Sequence, residues 1–132
     1  MLTYLCSPYS HRDPRVMHDR YLAAARACAD MLMRREWTFS PIVHCHEMAM
    51  RHGMPTDFGF WRDYNAAMLR KVDRLVVLCL DGWRDSVGVA GELAIWRDIC
   101  REFARPPVMY AMPTQGTPIY FNQPLVFAGD AA

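Results

Sequence analysis

The chain is 132 residues long, 52% hydrophobic and 22% charged, with a formal net charge of +1. A single domain of that size buries roughly 65–70% of the surface its unfolded chain exposes, so its core needs no disulfide or metal staple. The near-zero charge carries no nucleic-acid footprint, and no apolar stretch is long enough to span a bilayer. The cysteines Cys6, Cys28, Cys45, Cys79 and Cys100 are odd in number and lie mostly in apolar segments, the pattern of reduced thiols packed as small hydrophobes. With no signal peptide after Met1, they predict a cytoplasmic protein bound to neither membrane nor nucleic-acid polymer.

Residues 2–6 (LTYLC) predict a short apolar strand, and SPYSHRDP after them predicts a polar loop running into a helix. Asp13 and Pro14 form a cap and first-turn proline. Beyond them Met17, Tyr21, Ala24, Ala25, Cys28 and Met31 or Leu32 recur at helical spacing, to an expected end at Arg35. β-type residues return at 37–40, where Pro41 ends the strand or marks a sheet edge. HCHEMAMRHG, residues 44–53, predicts an irregular excursion with a short helix that Gly53 terminates. Thr56 or Asp57 caps the next helix, whose Trp61, Tyr64, Asn65, Met68, Leu69 and Val72 share one face.

The unbroken apolar run at 75–80 is the pattern of a parallel strand covered on both faces. Asp81 and Gly82 end it, and Ser86 caps a helix that begins near Val87. Val89, Leu93, Trp96, Ile99, Cys100 and Phe103 form that helix's apolar stripe, and Arg105, Pro106 and Pro107 stop it. Residues 108–112 predict the next strand. Apolar patches at 119–121 and 125–127 predict a last strand or a segment that wraps a neighbour. The alternation of strands and helices predicts one α/β domain over residues 1–132. Its parallel sheet has four or five strands with helices on both faces, and segments 2–6 and 74–80 are adjacent at its centre.

Ligands in such sheets bind at the carboxyl ends of the strands, which directs attention to the junction after the central strand. Glu92 lies about one turn into the helix there, on the side facing the loop. It is a nucleophile, a base or an acceptor for a ribose hydroxyl, or else a surface glutamate. Ser86 and the backbone amides of Val87, Gly88 and Val89 either hold a phosphate or, in the case of Ser86, only cap the helix. Tyr4, Ser7, Tyr9, Ser10, His11 and Arg12 lie at the mouth of the first strand, where hydroxyls and a guanidinium suit a phosphate or sugar. Turn chemistry and a solvated Arg12 explain the same residues. His44, Cys45 and His46 invite a metal, since histidines two apart on an extended segment point the same way. No CxxC or HExxH accompanies them, so a structural or substrate-contacting role is preferred and no metal is expected. Cys6 and the ten methionines read as packing.

Three stretches, YLCSPYSH, FSPIVHCHEMA and FWRDYNAAMLRKVDRLVVLCLDGWRDSVGVAGE, resemble a small bacterial and phage family. This DUF1937-like family is related to the nucleoside 2-deoxyribosyltransferases and the deoxynucleotide N-hydrolases. The match covers about residues 2–112 and is most specific at the LDGW turn, which places Trp83 among the substrate-contacting residues, and at SxGVxxE. The resemblance implies a three-layer flavodoxin-like or Rossmann-like sheet and oligomers whose sites border a neighbouring subunit. It also implies that Glu92 attacks the anomeric carbon, that Ser86 contacts a 5′-phosphate, and that Tyr4 and the loop from Ser7 to Arg12 lie in the substrate region. The relatives' aspartate that assists the departing base is matched here by Asn65, with Asp63 two residues earlier. An amide hydrogen-bonds a base but shuttles no proton. Either Asp63 substitutes through a local shift, the substrate has a better leaving group, or the chemistry is lost.

The expected function is cleavage or exchange of the N-glycosidic bond of a nucleotide or deoxynucleotide, by a homo-oligomer that requires no metal or redox cofactor. The competing expectations are a non-catalytic nucleotide-binding or sensing module and a scaffold known only by its oligomer. The four tryptophans Trp37, Trp61, Trp83 and Trp96 support the oligomer, as more large aromatic surface than a small sheet covers alone.

Overall fold

The computed structural model describes residues 1–113. The patches at 119–121 and 125–127, and the strand expected of them, lie outside the described residues. In chain order the elements are β1 (Leu2–Cys6), α1 (Pro14–Met33), β2 (Trp37–Phe39), α2 (Pro41–His52) and α3 (Phe58–Leu69). Then come β3 (Arg74–Cys79), a 3-10 turn (Trp83–Asp85), α4 (Val87–Glu102) and β4 (Met109–Pro113). The four strands form one parallel sheet in the order β2-β1-β3-β4. β1 and β3 are neighbours at its centre, with Tyr4 opposite Leu75 and Cys6 opposite Val77.

Side chains alternate across each strand, and the core divides accordingly. Tyr4 and Cys6 of β1, with Leu75 and Val77 of β3, pack under Leu69, Val89, Leu93, Trp96 and Ile99 of α3 and α4. Leu5, Val76 and Leu78 face the other way, onto Ala24, Cys28 and Met31 of α1 and Ile42 of α2. The result is a three-layer, Rossmann-like α/β fold with helices on both faces. None of the described helices is long and apolar enough to cross a membrane.

Helix starts follow the chemistry of their caps. Asp13 accepts the Arg15 N–H ahead of Pro14, Asp57 accepts the Phe60 N–H at 3.0 Å, and Ser86 accepts the Val89 N–H at 3.1 Å. The excursion expected at 44–53 is corrected to a regular helix from Pro41. The Ser40 hydroxyl accepts the Val43 N–H at 3.2 Å, Pro41 occupies the first turn, and Gly53 closes the helix in the left-handed region at φ 60°. The proline that ends β2 therefore opens α2. His44 and His46 are not on an extended segment, and two helical residues apart lie about 200° around the axis. His44 is exposed and His46 buried.

Smaller corrections concern helix faces and ends. Met31 rather than Leu32 turns inward, and Phe103 is exposed beyond the buried stripe of α4. Both α1 and α4 end in a left-handed residue that is not glycine, Arg35 at φ 65° and Ala104 at φ 50°. In each, the following N–H reaches back five residues to a helical carbonyl, Glu36 to Met31 and Arg105 to Cys100. Of the four tryptophans, Trp96 is wholly buried, Trp61 and Trp83 are partly covered and Trp37 is exposed.

Candidate functional site

β1 continues through α1 to β2 on one side, whereas β3 continues through α4 to β4 on the other. The chain thus diverges outside the carboxyl ends of β1 and β3, where an open parallel sheet leaves a crevice. A cavity of about 590 Å³ lies there, lined from the β1–α1 loop, α2, the start of α3 and the start of α4.

Glu92 is the buried carboxylate of this cavity. It shares the inward face of α4 with Val89 and Trp96, so helix geometry turns it onto the sheet. Tyr4 and Cys6, two apart on β1, pack beside it in the α4-side core and do not line the cavity themselves. Burial pushes the Glu92 carboxyl up from 4.5 to about 7, against smaller opposing pulls from the Tyr4 hydroxyl and the Cys6 thiol. In return, burial first and the Glu92 charge second hold Tyr4 and Cys6 well above their usual values, firmly protonated. None of these groups closes a full hydrogen bond on Glu92: Glu92 Oε2 and Tyr4 Oη are buried with no partner among the described residues. Ser7 Oγ and Asn65 Oδ1, both from buried residues that line the cavity, are likewise unpartnered there. Three unpartnered polar atoms on the cavity wall, Glu92 Oε2, Ser7 Oγ and Asn65 Oδ1, are where a polar ligand would bond.

The β1–α1 loop is held by contacts that sequence spacing did not reveal. Arg20 of α1 lines the cavity and donates to Tyr9 O at 3.3 Å, Ser10 O at 3.0 Å and Asp81 O at 3.4 Å. It thereby ties this loop to the turn after β3. The guanidinium of this region is Arg20, whereas Arg12 is exposed and does not line the cavity. Ser10 Oγ donates to Thr56 O at 2.6 Å, fastening the loop to the α2–α3 connection. Tyr9 Oη and His46 Nδ1 are 2.7 Å apart, and His46 stacks on Tyr21 with ring centres 4.3 Å apart. Burial, with His18 adding to it, lowers the His46 pKa and favours the neutral imidazole.

At the start of α4, Ser86 performs the cap and its oxygen takes the Val89 N–H. Val89 itself is core. The N–H groups left without a partner among the described residues are therefore those of Val87 and Gly88, both on the cavity. A Cβ on Gly88 would stand 3.8 Å from Ser86 Oγ and 3.9 Å from Glu92 Oε1, so its bare backbone leaves the space between those groups open. Trp83 does not line the cavity; it packs against the α4-side core with the Arg84 guanidinium 4.4 Å over its ring. On α3, Asn65 is buried in the cavity wall, whereas Asp63 is exposed and does not line the cavity.

Sequence spacing also missed Phe58, which walls the cavity by lying on α4. A Cβ at Gly91 would stand 2.3 Å from Phe58 Cε1, so the glycine is what admits the ring. Gly91→Ala must displace Phe58, and is expected to cost about 1–3 kcal/mol in urea unfolding. A variant as stable as the wild type would show that the ring moves freely. Among the described residues, no three His, Cys, Asp or Glu side chains gather closely enough to hold a metal ion. The arrangement is instead suited to placing a half-ionised carboxylate against a polar ligand in a partly dry crevice.

No curated protein matches the sequence. A family model described as "Domain of unknown function (DUF1937)" matches residues 1–104, from the first strand through the end of α4, and the chain belongs to that family.

Proposed function

We propose that the protein cleaves or exchanges the N-glycosidic bond of a nucleotide or deoxynucleotide, with Glu92 as the nucleophile. The observation that carries this reading is the Glu92 carboxyl itself, buried in a cavity wall, unpartnered at Oε2 and brought by burial to a pKa of about 7. The resemblance to the nucleoside 2-deoxyribosyltransferases and deoxynucleotide N-hydrolases supplies the reaction. The ionised carboxylate bonds to the anomeric carbon as the bond to the base breaks, and water or a second base then displaces it. Tyr4, kept protonated by burial and by Glu92, is the neutral hydroxyl beside the carboxylate. No step calls for a metal or a redox cofactor. Assembly of at least two copies belongs to the same proposal, since Val87 at the cavity and Phe60 on α3 are exposed apolar surface.

Base release from a mixture of nucleotides, followed by chromatography, tests the reading, and a wild-type protein that releases none would end it. One observation favours a second reading, a non-catalytic nucleotide-binding or sensing module: the α3 residue in the cavity is the amide Asn65. A thermal shift with nucleotides but no base release would select that reading.

The phosphate's place in this scheme is the start of α4. Ser86→Ala is expected to weaken nucleotide binding by about 0.5–1.5 kcal/mol, or up to about 3 if the phosphate charge strengthens the bond, and to leave nucleosides nearly unaffected. Equal losses for both ligand classes, measured by titration calorimetry, would reduce Ser86 to a cap.

A further inference from the structure

We propose that the substrate of this site is a cationic N-glycoside, a sugar joined to a flat, positively charged nitrogen heterocycle such as a pyridinium. This inference rests on the glycosidase reading above and names its substrate class.

Three observations lead to it. The first is charge. Asp57, Asp85 and Glu92 line the cavity, and its guanidinium, Arg20, donates to three backbone carbonyls. Two buried acceptors of the lining, Asn65 Oδ1 and Glu92 Oε2, have no donor among the described residues. Such oxygens suit a ligand edge that is electron-poor. The second is shape. Tyr9, His46, Phe58 and Trp61 supply ring surfaces to the same cavity, and aromatic faces attract a flat cation more than its neutral counterpart.

The third is proton supply. A neutral purine or pyrimidine leaves as an anion unless a general acid protonates it. The buried groups around Glu92 are poor acids: Tyr4 and Cys6 are held protonated, and Asn65 has no ionisable proton. A cationic glycoside needs none. The Glu92 oxygen bonds to the anomeric carbon, and the electron pair of the breaking C–N bond neutralises the ring nitrogen, which departs as an uncharged base. Water then bonds to the anomeric carbon, the ester C–O bond breaks back to Glu92, and the water proton passes to solvent. The sum is glycoside cation plus water giving sugar, neutral base and one proton.

The test compares wild-type protein on nicotinamide mononucleotide with its action on uridine and guanosine monophosphates, in ribo and 2′-deoxy forms, each rate divided by the uncatalysed rate. The pyridinium nucleotide is expected to show an enhancement at least about 100-fold larger, the usual worth of the general acid that neutral bases lack. Asn65→Asp should narrow that ratio by raising release from the neutral nucleotides, because burial at this position favours the protonated carboxyl. In a binding arm, Asn65→Leu should bind nicotinamide mononucleotide about tenfold more weakly than wild type, and its neutral 1,4-dihydro form with little change. Equal enhancements for charged and neutral bases, with a glycosyl adduct on Glu92 from both, would overturn the cation preference and leave the glycosidase reading intact. No release and no adduct from any of these nucleotides would overturn both.

Discussion

Glu92→Gln is expected to abolish turnover and, at the same time, to make the folded protein more stable at alkaline pH. The exchange keeps size and polarity but removes the attacking charge, so nucleotide binding survives while kcat falls by roughly 10³–10⁶-fold. The stability gain follows from linkage. Burial raises the Glu92 pKa from 4.5 to about 7 in the folded state. The native protein therefore holds a proton that the unfolded chain has released, and stability falls as pH rises through that interval. Below the lower value there is no penalty. Above the upper one the loss levels off at about 3 kcal/mol. Urea unfolding of Glu92→Gln should thus show a gain of about 2–3 kcal/mol over wild type near pH 8 and almost none near pH 4. The same titration sets the rate: base release by wild-type protein should rise as pH climbs through about 7, the value at which Glu92 ionises. A variant no more stable than wild type at alkaline pH would mean that the carboxylate is well solvated or paired.

Trp96→Ala should be the most damaging substitution outside the cavity. Trp96 is fully buried four residues after Glu92 on the same face of α4, between the sheet and the Arg105 guanidinium, which lies 5.3 Å from the ring centre. Truncation is expected to cost about 3–5 kcal/mol, a large part of the 5–15 kcal/mol that a domain of this kind typically has. Because α4 carries both Ser86 and Glu92, loosening it should also weaken binding before the domain unfolds. Trp96→Phe is the control. Trp96 Nε1 is buried with no partner among the described residues, so removing it relieves an unsatisfied donor, and the cost should stay below about 1.5 kcal/mol. Chemical denaturation of the pair separates lost packing from lost polarity; equal costs would locate the stabilisation in the indole N–H.

How far these features were legible depended on whether their causes are local. Asp13-Pro14, Asp57 and Ser86 announce helix starts by side-chain chemistry within a few residues, and the apolar runs of β1 and β3 announce central strands. Ser40-Pro41 carries the same signal as Asp13-Pro14, yet the β-type residues around it favour a strand, so the sequence alone starts α2 three residues late and irregular. Once Pro41 is placed in a first turn, Ile42, Cys45, His46 and Ala49 fall on one buried face, and His46 becomes a cavity residue instead of a metal candidate. The ends of α1 and α4 are hidden because Arg35 and Ala104 adopt backbone angles that usually call for glycine.

In the cavity wall, Glu92, Ser86 and Gly88 are legible from the strand–turn–helix pattern. The contacts of Arg20 with the loops, and of Phe58 with Gly91, join residues far apart in sequence and leave no periodic trace. Arg12, placed by its position at the mouth of β1, and Tyr4, Asp63 and Trp83, placed by the family resemblance, do not line the cavity, because which way a side chain turns from its element is set by packing rather than by position in the chain.

The most direct measurement is mass spectrometry of protein incubated with a slowly turned-over nucleotide analogue, followed by peptide mapping. A single glycosyl group on the peptide that carries Glu92, absent from Glu92→Gln, is the result this account predicts. Base release with no adduct on Glu92, or with the adduct on another residue, would contradict it.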